Sequence, residues 1–151
     1  MNHKYIQGFV VALLIALLSG CGKTSVADIT QITSKSLSTT AELSDYEVVN
    51  DSFFAIVTID NAPSLRYLAD DACTISDWKM QFDPYIIFAD GTQVSLAIGD
   101  TTVNQKGNDT VTISFEVSAY IQSQNLEDAH DFEIHIAGFE DDFELHSLQA
   151  A

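Results

Sequence analysis

The residues with the strongest intrinsic chemistry gather near the C-terminus, in "HDFEIHIAGFEDDFELH", residues 130–146. His130, His135 and His146 all lie there among carboxylates. Strand alternation would put Phe132, Ile134 and Ile136 on one face, and Asp131, Glu133 and His135 on the other. In the next strand Phe143 and Leu145 would point inward, with Glu144 and His146 outward. One exposed hairpin face then carries two glutamates and two histidines, and the register decides its chemistry. In one register His135 meets Glu144 and Glu133 meets His146, as two opposite-charge cross-strand pairs. In the other, His135 faces His146 with Glu144 diagonal. That face could hold a divalent metal through Glu133, His135, Glu144 and His146. The first register needs a two-residue turn at Phe139-Glu140, residues poorly suited to positive φ, so turn chemistry favours the second.

Other reactive groups are less suited to catalysis. Cys73 sits in "DDACTIS", where neighbouring carboxylates raise a thiol pKa and weaken it as a nucleophile. A small core residue is the expectation for it. The acidic pairs Asp70-Asp71 and Asp141-Asp142, with Asp90 and Asp109, suit loops. None has the spaced Asp/Asn/Gly ligands of a calcium loop. No phosphate-cradling glycine loop, nucleophile elbow or zinc-protease helix is present. A non-enzymatic domain that needs no cofactor is therefore expected.

The chain of 151 residues carries 22 acidic and six basic side chains, a formal net charge of −16. Such a surface repels nucleic acids and anionic headgroups, whose binding depends on Lys and Arg neutralising phosphates. A cationic partner is compatible with it. At 46% hydrophobic residues the chain can still bury a core.

The N-terminus has a separate logic. A short start with Lys4 precedes an unbroken apolar run at residues 9–18, closed by Ser19 and Gly20. Basic start, apolar middle and small-residue end form the pattern of a secretory signal. The run is shorter than the roughly 20 residues a membrane-spanning helix needs. Leu18-Ser19-Gly20-Cys21 resembles the lipobox of bacterial lipoproteins. The resemblance implies cleavage between Gly20 and Cys21, and lipidation of the Cys21 thiol. It further implies an exported protein held on a membrane without crossing it. If the source is Gram-negative, the resemblance further implies the outer membrane, because Gly22 stands where an inner-membrane retention signal would place Asp.

Residues 1–20 are thus expected to be removed, and 21–45 to form a lipidated flexible tether. Ten of the residues between 22 and 45 are Ser or Thr, a composition typical of a coil, with a short first strand at Ile29 to Thr33 as the competing reading. Residues 46–151 form the domain. Short Val/Ile/Phe/Tyr/Thr runs predict strands near 46–49, 53–59, 78–82, 85–88, 93–98, 110–120, 132–139 and 143–148. Asp90-Gly91 suits a hairpin turn and "KGND" at 106–109 another. "NAPSLRYLADD", residues 61–71, predicts one short connecting helix. Seven to eight strands and this helix predict an all-β antiparallel sandwich, with a small β-barrel as the alternative. Trp78 in a middle strand and "EDAHDFEIHI" resemble features of immunoglobulin-like domains, although no cysteine pair is available for their inter-sheet disulfide. Such a domain would serve as a binding or structural module for a protein or envelope partner. Arg66, Tyr67 and Leu68 on the helix are the candidate contacts, since Arg and Tyr dominate binding hot spots.

Overall fold

The computed structural model describes residues 25–35, 39–49, 52–107, 110–121 and 131–147. Ten strands, β1 (Ser25–Ile29), β2 (Gln31–Thr33), β3 (Thr40–Val49), β4 (Ser52–Asp60), β5 (Tyr85–Phe88), β6 (Gln93–Ser95), β7 (Ala97–Lys106), β8 (Thr110–Tyr120), β9 (Asp131–His135) and β10 (Phe143–Ser147), form two antiparallel sheets. A 3₁₀ helix (Pro63–Ala69) and helix α1 (Ile75–Phe82) join β4 to β5. One sheet has the order β1-β10-β9-β5-β6, the other β2-β3-β4-β8-β7. With β3 counted as the first strand, β3-β4-β8-β7 and β5-β9-β10 reproduce the two sheets of an immunoglobulin-like sandwich. Here β6 is added beside β5. Among the described residues no ladder joins the sheets, so the molecule is a sandwich and not a barrel.

The strongest sequence pattern is also the most faithful one. In β8, Val111, Ile113, Phe115 and Val117 are buried, while Thr112, Ser114, Glu116 and Ser118 face outward and are half-exposed. The β5–β6 hairpin turns through Ala89-Asp90-Gly91, with Gly91 at φ +86°. The Phe88 N–H bonds to the Thr92 carbonyl at 2.9 Å across this loop. A three-residue hairpin loop of this kind needs its last residue in the left-handed region, where glycine carries no Cβ penalty. Pro63 opens the 3₁₀ helix as expected, with Leu68 buried beneath it.

Three expectations are corrected. Residues 25–33, expected in the tether, form β1 and β2, and β3 begins at Thr40. Ile32, Ala41 and Leu43 are buried in the common core. Their spacing among Ser and Thr is that of one-sided strands, and hydroxyl side chains suit the solvent face of a sheet as well as a coil. The described sandwich therefore starts at Ser25 rather than at residue 46, with ten strands rather than seven or eight. The segment 78–82, expected as a strand, is helical, and Trp78 reaches the core from α1. The strand expected over 132–139 stops at His135.

Aromatic contacts bind the parts together. Phe53 of β4 meets Phe132 of β9 edge-on across the two sheets, with centroids 5.7 Å apart. Phe82 stacks on Phe115 at 4.7 Å, and Trp78 packs against the same ring at 5.9 Å. The fully buried described side chains all lie between Ile32 and Leu145. A chain beginning after Cys21 thus keeps every described strand and the whole core.

Phe115 is the ring shared by α1 and β8. Phe115→Ala should cost about 3–5 kcal/mol through lost burial and the cavity left behind. The measurement is a urea unfolding curve followed by emission of Trp78, the single tryptophan of the chain.

Candidate functional site

Sheet geometry settles the histidine face first. In the β9–β10 ladder Glu133 lies opposite Glu144, and His146 opposite Asp131. This register is neither of the two set out from the sequence, nor therefore the one that turn chemistry favoured. His146 is thereby offset from His135 by four residues, about 13 Å along the strands. The two imidazoles therefore do not share a site. Among the described residues no group of three or more His, Cys, Asp or Glu side chains is placed to hold a metal.

The loop after β9 explains the register. It is not a tight turn but an excursion that pairs with the end of β2. The Glu140 N–H bonds to the Thr33 carbonyl at 2.9 Å, and the Lys35 N–H to the Gly138 carbonyl at 3.0 Å. Ile136 and Phe139 are buried on the way. Burying each such side chain contributes roughly 1.5–3 kcal/mol. Opposing two glutamates on an exposed face costs only a fraction of that, about 0.2–1 kcal/mol. Core burial therefore overrules pairing on the outer face. Glu133, Glu144 and His146 line a shallow depression of about 420 Å³ with Ile87.

His135 takes another role. Its Nδ1 lies 2.7 Å from Asp142 Oδ1, and its ring lies over Tyr85 with centroids 4.6 Å apart. That contact ties the end of β9 to the residue before β10. Other loop carboxylates also serve local backbone. Asp70 Oδ1 accepts from the Ala72 N–H and Asp90 Oδ1 from the Thr92 N–H, at 2.9 and 2.8 Å. Asp109, Gly20, Cys21 and His130 lie outside the described residues.

The surface proposed around Arg66, Tyr67 and Leu68 is partly redrawn. Leu68 is only 4% exposed and belongs to the core, so it is not a contact residue. Arg66 and Tyr67 are exposed. The Tyr67 hydroxyl donates to Gln81 Oε1 at 2.6 Å, which brings the 3₁₀ helix against α1. Cys73 bridges the two helices, its Sγ donating to the Tyr67 carbonyl at 3.3 Å. Desolvation, then Asp77 and Asp70, push its thiol pKa up, against a nucleophilic role.

Helix α1 carries the surface that the sequence reading missed. Asp77 accepts from both the Thr74 N–H (2.6 Å) and the Thr74 hydroxyl (2.9 Å), and so fixes the helix start. Trp78 and Phe82, one turn apart, bury the inner side. On the outer side Ile75, Ser76, Lys79, Met80 and Asp83 border an open groove of about 630 Å³ with Ala97 and Ile98 of β7. Met80 is 78% exposed and Ile75 47%. Lys79 fixes the groove wall: its Nζ donates to Ser95 Oγ at 2.6 Å and to the carbonyls of Pro84 and Leu96. Those acceptors surround the point where the chain passes from β6 to β7. The signal for α1 was present as Thr74-x-x-Asp77 followed by apolar residues at helical spacing, and the strand reading of 78–82 overlooked it.

The hydrogen bonds from Thr74 and Thr92 hold the Asp77 and Asp90 carboxyls below their ordinary pKa of 3.8. Depressed folded-state values mean stability that is present above pH 3.8 and lost as pH falls through the folded pKa. Asp77→Asn and Asp90→Asn should each lower the thermal midpoint at pH 7. The gap to the unsubstituted chain should close as the pH falls below 3.8, measured by melts across a pH series. Zinc titration checks the register: any heat should respond to His135→Ala and His146→Ala separately, without a shared site lost to either change. No protein-family model matches the chain, and neither curated proteins nor solved structures give a match.

Proposed function

We propose that the chain is an exported lipoprotein, anchored to a membrane through Cys21, whose sandwich is a non-enzymatic binding module of the cell envelope. Its contact surface is the outer side of α1. The observation that carries this reading is the pair Met80 and Ile75, held largely in water beside a groove. Isolated exposed apolar residues are ordinary, but a neighbouring pair on a groove is the form that docking surfaces take. Tyr67, half-exposed at the neighbouring helix, adds an aromatic side chain of the type that dominates binding energy.

Charge narrows the partner. Lys79 is committed to the β6–β7 crossover, while Asp83 borders the groove and the whole chain carries −16. The fitting occupant is a protein segment with an apolar anchor flanked by Lys or Arg, drawn in by the acidic field. The anchor follows from the lipobox resemblance. Two or more acyl chains hold a protein stably, at about 0.8 kcal/mol per buried methylene, whereas one chain holds it weakly.

Two measurements test the two halves separately. Cys21→Ser should shift the protein out of the membrane fraction, and persistence there would defeat the anchoring claim. A photo-cross-linking residue in place of Met80 or Ser76 should yield one defined adduct in intact envelopes. Ile75→Asp should abolish that adduct, and a cross-linker at Thr58, on the outer face of β4, should not form it. Equal adducts from all three positions, or none, would rule out α1 as the contact surface.

A further inference from the structure

Both sheets end in edge strands, and three of the four edges are blunted. β2 and β6 have three residues each, and β1 carries a register break between Ala27 and Ile29. The exception is β7, ten residues long, whose own register break lies near its start, with β8 on one side and no described strand on the other. Helix α1 borders its first residues in the groove, at Ala97 and Ile98, and the 3₁₀ helix also packs against the strand. Beyond the bulge at Gly99-Asp100, the side chains of Asp100, Thr102, Asn104, Gln105 and Lys106 are exposed. An edge of this length with no described strand paired to it presents backbone N–H and C=O groups that can pair with another strand.

The sequence of this edge is self-complementary. In "DTTVNQK", residues 100–106, Val103 is the centre. Laid antiparallel on a second copy with Val103 opposite itself, Asp100 meets Lys106, Thr101 meets Gln105 and Thr102 meets Asn104. The charge pair occurs twice by symmetry, because a two-fold contact uses the same patch on both subunits. Face matching holds as well. Thr101 and Val103 oppose the buried Phe115 and Ile113 of β8, whereas Thr102 and Asn104 oppose the outward Ser114 and Thr112. Every proposed pair joins residues of the same face. The net charge of −16 per chain opposes association, but at physiological salt charges are screened beyond about 8 Å. Contacts within the ladder lie inside that distance, and so does Glu116, whose Oε2 accepts from the Asp100 N–H at 3.4 Å.

We propose that β7 is a homodimerisation edge. Two copies pair their β7 strands antiparallel about Val103, joining the β2-β3-β4-β8-β7 sheets into one continuous ten-stranded sheet. This surface is separate from the α1 groove and does not depend on the anchor.

The test uses the chain from Gly22 onward, which keeps the whole core, in reducing buffer so that Cys73 cannot link copies. Light scattering during size exclusion should give twice the chain mass in the high-micromolar range. Asp100→Lys places lysine opposite lysine, and Lys106→Asp places aspartate opposite aspartate. Each should weaken the dimer at least about tenfold. The double variant Asp100→Lys/Lys106→Asp should restore it. Unchanged Trp78 emission in each variant shows that folding is not what changed. A monomer at all concentrations overturns the proposal. So does a dimer indifferent to the swaps, or one lost instead on Met80→Asp.

Discussion

The contact of Trp78 and Phe82 with Phe115 is the constraint on which the rest of this sandwich depends. On the side where the chain passes from β6 to β7, the first sheet ends in a strand of only three residues. The interior there would be open without another apolar element. Helix α1 closes it by delivering two rings onto one ring of β8. The same seating turns Ile75 and Met80 outward and brings Lys79 to the crossover carbonyls. Core closure and the proposed docking surface are therefore two sides of one helix.

With no disulfide among the described residues, the two sheets are held together by packing and by the bonds between the β9–β10 loop and the end of β2. The edge-on pair Phe53–Phe132 does this near the centre, with Phe88 against the same Phe132 ring. Aromatic pairs of this geometry contribute roughly 0.5–1.5 kcal/mol beyond their buried area. Several such contacts match the roughly 2–4 kcal/mol typical of a disulfide. Cys73, partly buried and bonded to a helix carbonyl, remains a packing residue at the joint between the two helices.

The outer faces obey the core. The placement of Glu133 opposite Glu144 would be a poor choice if surface pairing set the register. It follows once Ile136 and Phe139 must be buried and the loop between β9 and β10 must pair with β2. The same principle separates His135 from His146. His135 instead joins Asp142 and Tyr85, where it holds the base of that loop. Spacing fixes which face a residue occupies, not which residue it meets.

The sequence by itself determined the fold class, the faces of β8, the β5–β6 hairpin and the position of the short 3₁₀ helix. These are local matters of period-two alternation, glycine at positive φ and proline at a helix start. It also determined the anchoring expectation, because a lipobox is read on the unfolded chain. Tertiary structure decided the rest. Sparse apolar residues at 29–33 and 40–43 became strands only because a core was there to receive Ile32, Ala41 and Leu43. The segment 75–82 became a helix because two rings one turn apart could reach Phe115 together. The β9–β10 register, the burial of Leu68 and the open edge of β7 likewise depend on which distant segments compete for the interior. That competition is settled by burying apolar area worth several kcal/mol, against local preferences of a few tenths to one.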